Sequence, residues 1–69
     1  MNDQLKFFLF LIERYATYKD KPTGVILKEW DDHGITQEIF DSYLEYGEGR
    51  IENAFTDIDM LLTAGTHAW

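Results

Sequence analysis

The side chains best equipped for chemistry in this sequence are its carboxylates, its two histidines and its one serine. Asp31-Asp32-His33 and the pair Asp57/Asp59 are ligand types for a metal ion. Consecutive residues at a helix end, however, point in different directions, and no second group stands at a ligand-like spacing. No metal and no other cofactor is expected. His33 in the last turn of a helix suits the helix dipole, and Asp57 and Asp59 suit a helix start or a solvated face. Ser42 falls in mid-helix with no pairing to His33 or His67 visible in the sequence, so no nucleophile and base stand out. Cysteine is absent, which removes thiol nucleophiles, thiolate metal sites and disulfides together. Neither a glycine-rich phosphate loop nor a Gly-x-Ser-x-Gly elbow is present. Carboxylate pairs do general acid–base work only in a cleft that perturbs them, and a helical chain of 69 residues has little room for one. The chain is not expected to be an enzyme.

Charge is the other chemical resource. Thirteen acidic side chains face six basic ones, for a net charge of −7. Residues 1–28 hold five cations and three carboxylates, residues 29–59 hold ten carboxylates and Arg50, and the last ten residues hold neither. Such a chain is repelled by nucleic acid and by anionic membranes, whose phosphates need clustered Lys and Arg. The stripe Glu38, Asp41 and Glu45, reinforced by Glu29, Asp31 and Asp32, is either a solvated face or a surface that draws in a basic protein and speeds its association. With 45% hydrophobic and 16% aromatic residues, the acidity does not signify disorder. The apolar run Phe7–Ile12 is too short to span a membrane and follows an acidic start, so neither a membrane segment nor a signal peptide is expected, and the protein is expected in the cytoplasm.

The elements that carry these groups read as helices. From Asp3, a candidate N-cap, Leu5, Phe8, Leu9, Ile12, Tyr15 and Ala16 repeat at helical spacing, giving a first helix to about Tyr18 that Lys19-Asp20-Lys21-Pro22 ends. Pro22 and Thr23 open a second, with Ile26, Leu27 and Trp30 inward and Gly34 as its left-handed stop. Thr36 reads as the cap of a third, with Ile39, Phe40, Tyr43 and Leu44 on one face, ending at Gly47-Glu48-Gly49. Ile51, Ala54, Phe55, Ile58, Leu61 and Leu62 form an unbroken stripe ending before Gly65. One helix is the simplest reading of it, while Thr56 with Asp59 three residues on would allow a fresh start near Phe55. The tail offers Trp69, which either folds back on the core or plugs a partner's pocket. The expected fold is all-α: one domain, residues 1–69, of four or five short helices around a small core.

The first helix has more apolar surface than one face holds. Its inward stripe leaves Phe7, Leu11 and Tyr18 on a flank, and Phe10 falls among Lys6, Glu13, Arg14 and Thr17. Either other helices wrap it as the central helix of the core, or Phe7, Phe10, Leu11 and Tyr18 are covered by a second copy or a partner protein.

Residues Leu27 to Tyr43, around the turn His33-Gly34-Ile35-Thr36, have the outline of a helix-turn-helix. The second helix, which would read DNA, carries Gln37, Glu38, Asp41, Ser42 and Glu45 and no cation. The outline is therefore taken as a packing solution, and nucleic acid is not an expected partner. A regulator derived from this motif would have to draw its DNA affinity from Lys19, Lys21 and Lys28 or from an oligomer. An acidic mimic of nucleic acid is a further alternative.

The order of these segments has a family likeness. Phe7-Phe8-Leu9-Phe10-Leu11-Ile12-Glu13, Gly24-Val25-Ile26-Leu27, Ile39-Phe40-Asp41-Ser42-Tyr43 and above all Asn53-Ala54-Phe55-Thr56-Asp57-Ile58-Asp59 resemble a bacterial family of small proteins classed as a domain of unknown function. The resemblance covers residues 5–62. Members often carry Tyr-x-x-x-His near Tyr43, where this chain has Gly47 in the histidine's place. Their genes tend to lie beside other small reading frames, in some cases next to toxin-like ADP-ribosyltransferase domains. The resemblance thus implies an accessory or antitoxin-like protein. The surplus apolar surface of the first helix and the acidic stripe, with Phe7, Phe10, Leu11, Tyr18, Glu38, Asp41 and Glu45, are the surface a toxin-like or basic partner would be expected to meet.

Overall fold

In the computed structural model, which describes residues 3–65 and 67, the chain is an all-α bundle. Helices α1 (Asp3–Lys19), α2 (Thr23–Asp32), α3 (Thr36–Ser42) and α4 (Ile51–Ala64) follow one another, with single 3₁₀ turns at Leu44–Tyr46 and Glu48–Arg50 between the last two. No strand occurs among the described residues. The radius of gyration, 11.0 Å, is what about 69 residues packed round one core should give.

Three helix ends close with a residue in the left-handed region, which lets the chain turn back and satisfy the last carbonyls. Gly34 (φ 70°) and Gly65 (φ 74°) take it without a Cβ penalty. The Gly34 N–H donates to the Asp31 carbonyl and the Ile35 N–H to that of Trp30, each at 3.0 Å. At the end of α1 the same role falls to Asp20 (φ 56°), with the Lys21 N–H donating to the Ala16 carbonyl at 2.9 Å. Pro22, at φ −63°, sits at the N-cap of α2, where its ring suits the geometry and its missing N–H costs nothing. Thr36 is the first residue of α3 rather than its cap, which falls on Ile35; its hydroxyl donates to the Asp31 carboxylate instead. The third helix stops at Ser42 and gives way to a 3₁₀ turn before Gly47, so Leu44 leaves the inward face and is 40% exposed.

The core runs through all four helices: Leu11, Ile12, Tyr15 and Ala16 of α1, Ile26 and Trp30 of α2, Ile39 of α3, Tyr43, and Ala54, Phe55, Ile58 and Leu61 of α4. Phe8 packs its ring against Trp30 at 5.9 Å and Phe40 at 5.4 Å. The Trp30 indole N–H is buried without a hydrogen-bond partner among the described residues. Two sequence expectations for α1 and α2 need correction. Leu11, assigned to a partner surface, is wholly buried in the protein's own core, because α1 is the central helix and other helices cover more than one side of it. Leu9 and Leu27, assigned inward, are 42% and 38% exposed. They form the open walls of a hollow of about 200 Å³ between α1 and α2, with Phe8, Ile12 and Gly24 behind them. Residues 51–64 are one continuous helix. The Thr56 hydroxyl donates to the Glu52 carbonyl one turn back rather than starting a new helix. Trp69 lies outside the described residues.

Candidate functional site

Phe10, Arg14, Thr17 and Tyr18 of α1 face Ile51, Glu52 and Phe55 of α4 across a groove of about 500 Å³. Tyr18 stacks on Phe55, ring centroids 5.0 Å apart and planes 19° from parallel, yet remains 56% exposed. The Arg14 guanidinium lies 5.2 Å above the Phe10 ring, and Phe7 packs 6.3 Å from Phe10 while resting on the core. The structure thus brings Phe10 and Tyr18 together on one groove with Phe7 adjoining, while Leu11 is buried in the core. A smaller hollow of about 240 Å³, lined by Tyr18, Glu52, Phe55 and Thr56, adjoins the groove. An aromatic lining with one cation and one anion beside it suits an apolar or aromatic side chain from another molecule.

The acidic stripe is exposed, with Glu38 and Asp41 on α3 and Glu45 in the following 3₁₀ turn. Much of its charge is already engaged. Asp41 accepts from Gln37 and from Gln4 of α1, both at 3.2 Å. Glu29 pairs with Lys21 at 2.8 Å and Asp32 with Lys28 at 3.4 Å. Lys19 pairs with Asp59 at 3.0 Å. The three lysines on which a DNA-binding reading would depend therefore each face a carboxylate, an arrangement that opposes phosphate binding.

A second cluster lies at the seam of α3 and α4, and sequence reasoning missed it. Asp57, expected on a solvated face or at a helix start, is only 1% exposed. Its Oδ2 accepts from the Tyr43 hydroxyl and, at 2.5 Å, from Nδ1 of His67. The other ring nitrogen of His67 bonds the Glu38 carboxylate. Ser42 donates to the Glu38 backbone carbonyl at 2.5 Å and, more distantly at 3.4 Å, to its carboxylate. Burial and the Asp57 hydrogen bond hold the Tyr43 phenol far above its usual range. Burial also raises that of Tyr46, with Asp57 adding to the rise and Arg50 opposing it. The Asp57 hydrogen bond, chiefly, raises His67, helped by Glu38 and opposed by desolvation.

This cluster is neither a metal site nor a hydrolytic triad as it stands. The two carboxylates lie on opposite nitrogens of one imidazole, so the three groups do not converge on a point. Among the described residues no group of three such side chains is placed to hold a metal ion. Ser42 is bonded to Glu38, and both nitrogens of His67 are bonded to carboxylates, so the imidazole has no nitrogen directed at the serine as a base.

On the other side of α4, Asp59 accepts from the Tyr15 hydroxyl at 2.6 Å as well as from Lys19. The Tyr15 phenol is likewise raised far above its range, by burial first and by Asp59 second. A signal for Asp57 exists in the sequence. It lies three residues after Ala54 and four before Leu61, at the edge of the apolar stripe, while Asp59 falls at the opposite edge. Two acids flanking a buried stripe mark positions where a donor on a neighbouring helix is required.

No protein-family model, curated protein or solved structure matches the chain. No helix among the described residues is long and apolar enough to cross a membrane.

Proposed function

We propose that this protein is a non-catalytic interaction module of the bacterial cytoplasm, the accessory or antitoxin-like partner of a toxin-like protein. The observation that carries the reading is the α1–α4 groove. Tyr18 is stacked on Phe55 and still 56% exposed, in a lining completed by Phe10 and Ile51. A chain of 69 residues that leaves this much aromatic surface open gains most by covering it with another protein. The exposed carboxylates Glu38, Asp41 and Glu45 steer a basic partner toward the same small molecule and raise the association rate more than the affinity. The family likeness of residues 5–62 supplies the toxin-like character of that partner.

The test is co-expression with the products of the adjacent genes, followed by light scattering on the purified material. A stoichiometric heterocomplex that Tyr18→Arg disrupts, with circular dichroism of the variant unchanged, supports the reading. A heterocomplex indifferent to Tyr18→Arg removes the groove from it. A homodimer that fills the groove, or a monomer that binds none of the neighbouring products, overturns it.

A further inference from the structure

A neutral imidazole has one N–H and therefore one hydrogen bond to give. Both nitrogens of His67 lie against carboxylate oxygens, Nδ1 at 2.5 Å from Asp57 and Nε2 against Glu38. Only the imidazolium can donate to both. We propose that His67 is a pH-operated latch: as the imidazolium it bridges Asp57 and Glu38 across the seam between α3 and α4, and on losing its proton it lets go.

The groups around the latch fix its sense. Glu38 faces it from α3, and Asp57 from α4, with Tyr43 sharing the same Asp57 oxygen. Tyr46, from the 3₁₀ turn, feels the Asp57 charge and carries Arg50 5.0 Å above its ring. Both ring nitrogens of His67 thus meet carboxylates, with a protonated phenol behind one of them, and the guanidinium lies on Tyr46. Asp57, with 2% of its side chain exposed, gains a countercharge from His67 that solvent cannot supply. Once the imidazole is neutral, its unprotonated nitrogen sets a lone pair against a carboxylate, and the bridge to one of the two sides is repulsive. Asp57 and Glu38 hold the proton on the ring, so the latch opens at higher pH than free histidine would dictate. Opening leaves the Glu38 carboxylate without its countercharge and uncovers the Tyr43–Asp57 pair. The inference does not depend on what the groove binds.

Proton NMR of the His67 ring, followed against pH in the native protein and in the same protein unfolded in urea, tests it. The native midpoint is expected above the unfolded one, and the backbone amide signals of Gly65 and His67 are expected to move with that native midpoint. Glu38→Gln, a change at an exposed position, is expected to shift the midpoint down, and in His67→Gln the Gly65 amide is expected to stay fixed over the same range. Equal midpoints in the native and unfolded protein, a midpoint unmoved by Glu38→Gln, or amides that ignore the titration would each overturn the latch.

Discussion

Tyr15 of α1 donates its hydroxyl hydrogen to the Asp59 carboxylate of α4 at 2.6 Å, and two residues earlier on the same helix Asp57 takes the equivalent bond from Tyr43. The two pairs differ in surroundings. Asp59 also has Lys19 and some access to water, whereas Asp57 is shut in. Tyr43→Phe therefore strips a donor from a buried carboxylate and is expected to cost about 1–3 kcal/mol, against about 1 kcal/mol for Tyr15→Phe. Urea denaturation of the two variants gives the order; a larger loss for Tyr15→Phe would contradict the burial assigned to Asp57.

The same phenols make the fold sensitive to alkali. In the folded chain Tyr15 and Tyr43 hold their protons far above the ordinary tyrosine range, while in the unfolded chain they ionise near pH 10. Above that pH the unfolded state binds fewer protons, so the contribution of these two tyrosines is full below about pH 10 and falls as pH rises beyond it. The urea midpoint should drop from about pH 10 upward, and the double variant Tyr15→Phe/Tyr43→Phe should flatten the decline.

His67 gives a second, milder pH dependence. Its folded pKa is raised, so its contribution is complete below about 6.5, the unfolded value, and disappears as pH rises through the folded one. The difference in urea midpoint between the wild-type protein and His67→Gln should be largest in that acid range and shrink on the alkaline side. A constant difference would show that the ring acts by packing alone.

Asp20 holds a left-handed conformation at the end of α1 (φ 56°), where glycine pays no steric cost. Its backbone N–H bonds the Thr17 carbonyl at 3.1 Å, a contact that does not need the side chain. Asp20→Gly is expected to stabilise the protein by about 0.5–1 kcal/mol, read as a rise in urea midpoint at unchanged slope.

Leu11 and Tyr18 lie seven residues apart on α1 and should differ in what their loss costs. Leu11→Ala opens a cavity in the core and is expected to cost about 2–5 kcal/mol. Tyr18→Ala loses one stacked contact at an exposed position and should cost about 1 kcal/mol or less. Thermal melts of the two proteins compare them directly.

The helices and their glycine stops were legible because they depend on local spacing: Gly34 and Gly65 adopt the left-handed turns their positions require, and the stripe from Ile51 to Leu62 is one helix. The boundary of α3 was less so, since the apolar spacing of Ile39, Phe40, Tyr43 and Leu44 runs on past Ser42, where the helix gives way to 3₁₀ turns. Leu11 and Leu9 exchanged expected roles because a helical wheel gives angles around α1 but not which angles a neighbouring helix covers. The groove was half visible, in Phe10 and Tyr18, and its other wall belongs to α4. The seam was invisible as a site, because His67, Asp57, Tyr43 and Glu38 come from three separated stretches. Only the place of Asp57 beside Ala54 and Leu61 hinted at its burial.

The two aspartates at opposite edges of α4's buried stripe have a mechanical consequence. A helix held by aliphatic packing alone can roll about its long axis with modest repacking of Ile and Leu. Here a roll in one sense lengthens the bond from Tyr15 to Asp59, and a roll in the other lengthens that from Tyr43 to Asp57. The azimuth of α4 is thereby fixed from both sides, and with it the angle at which Phe55 presents its ring to Tyr18.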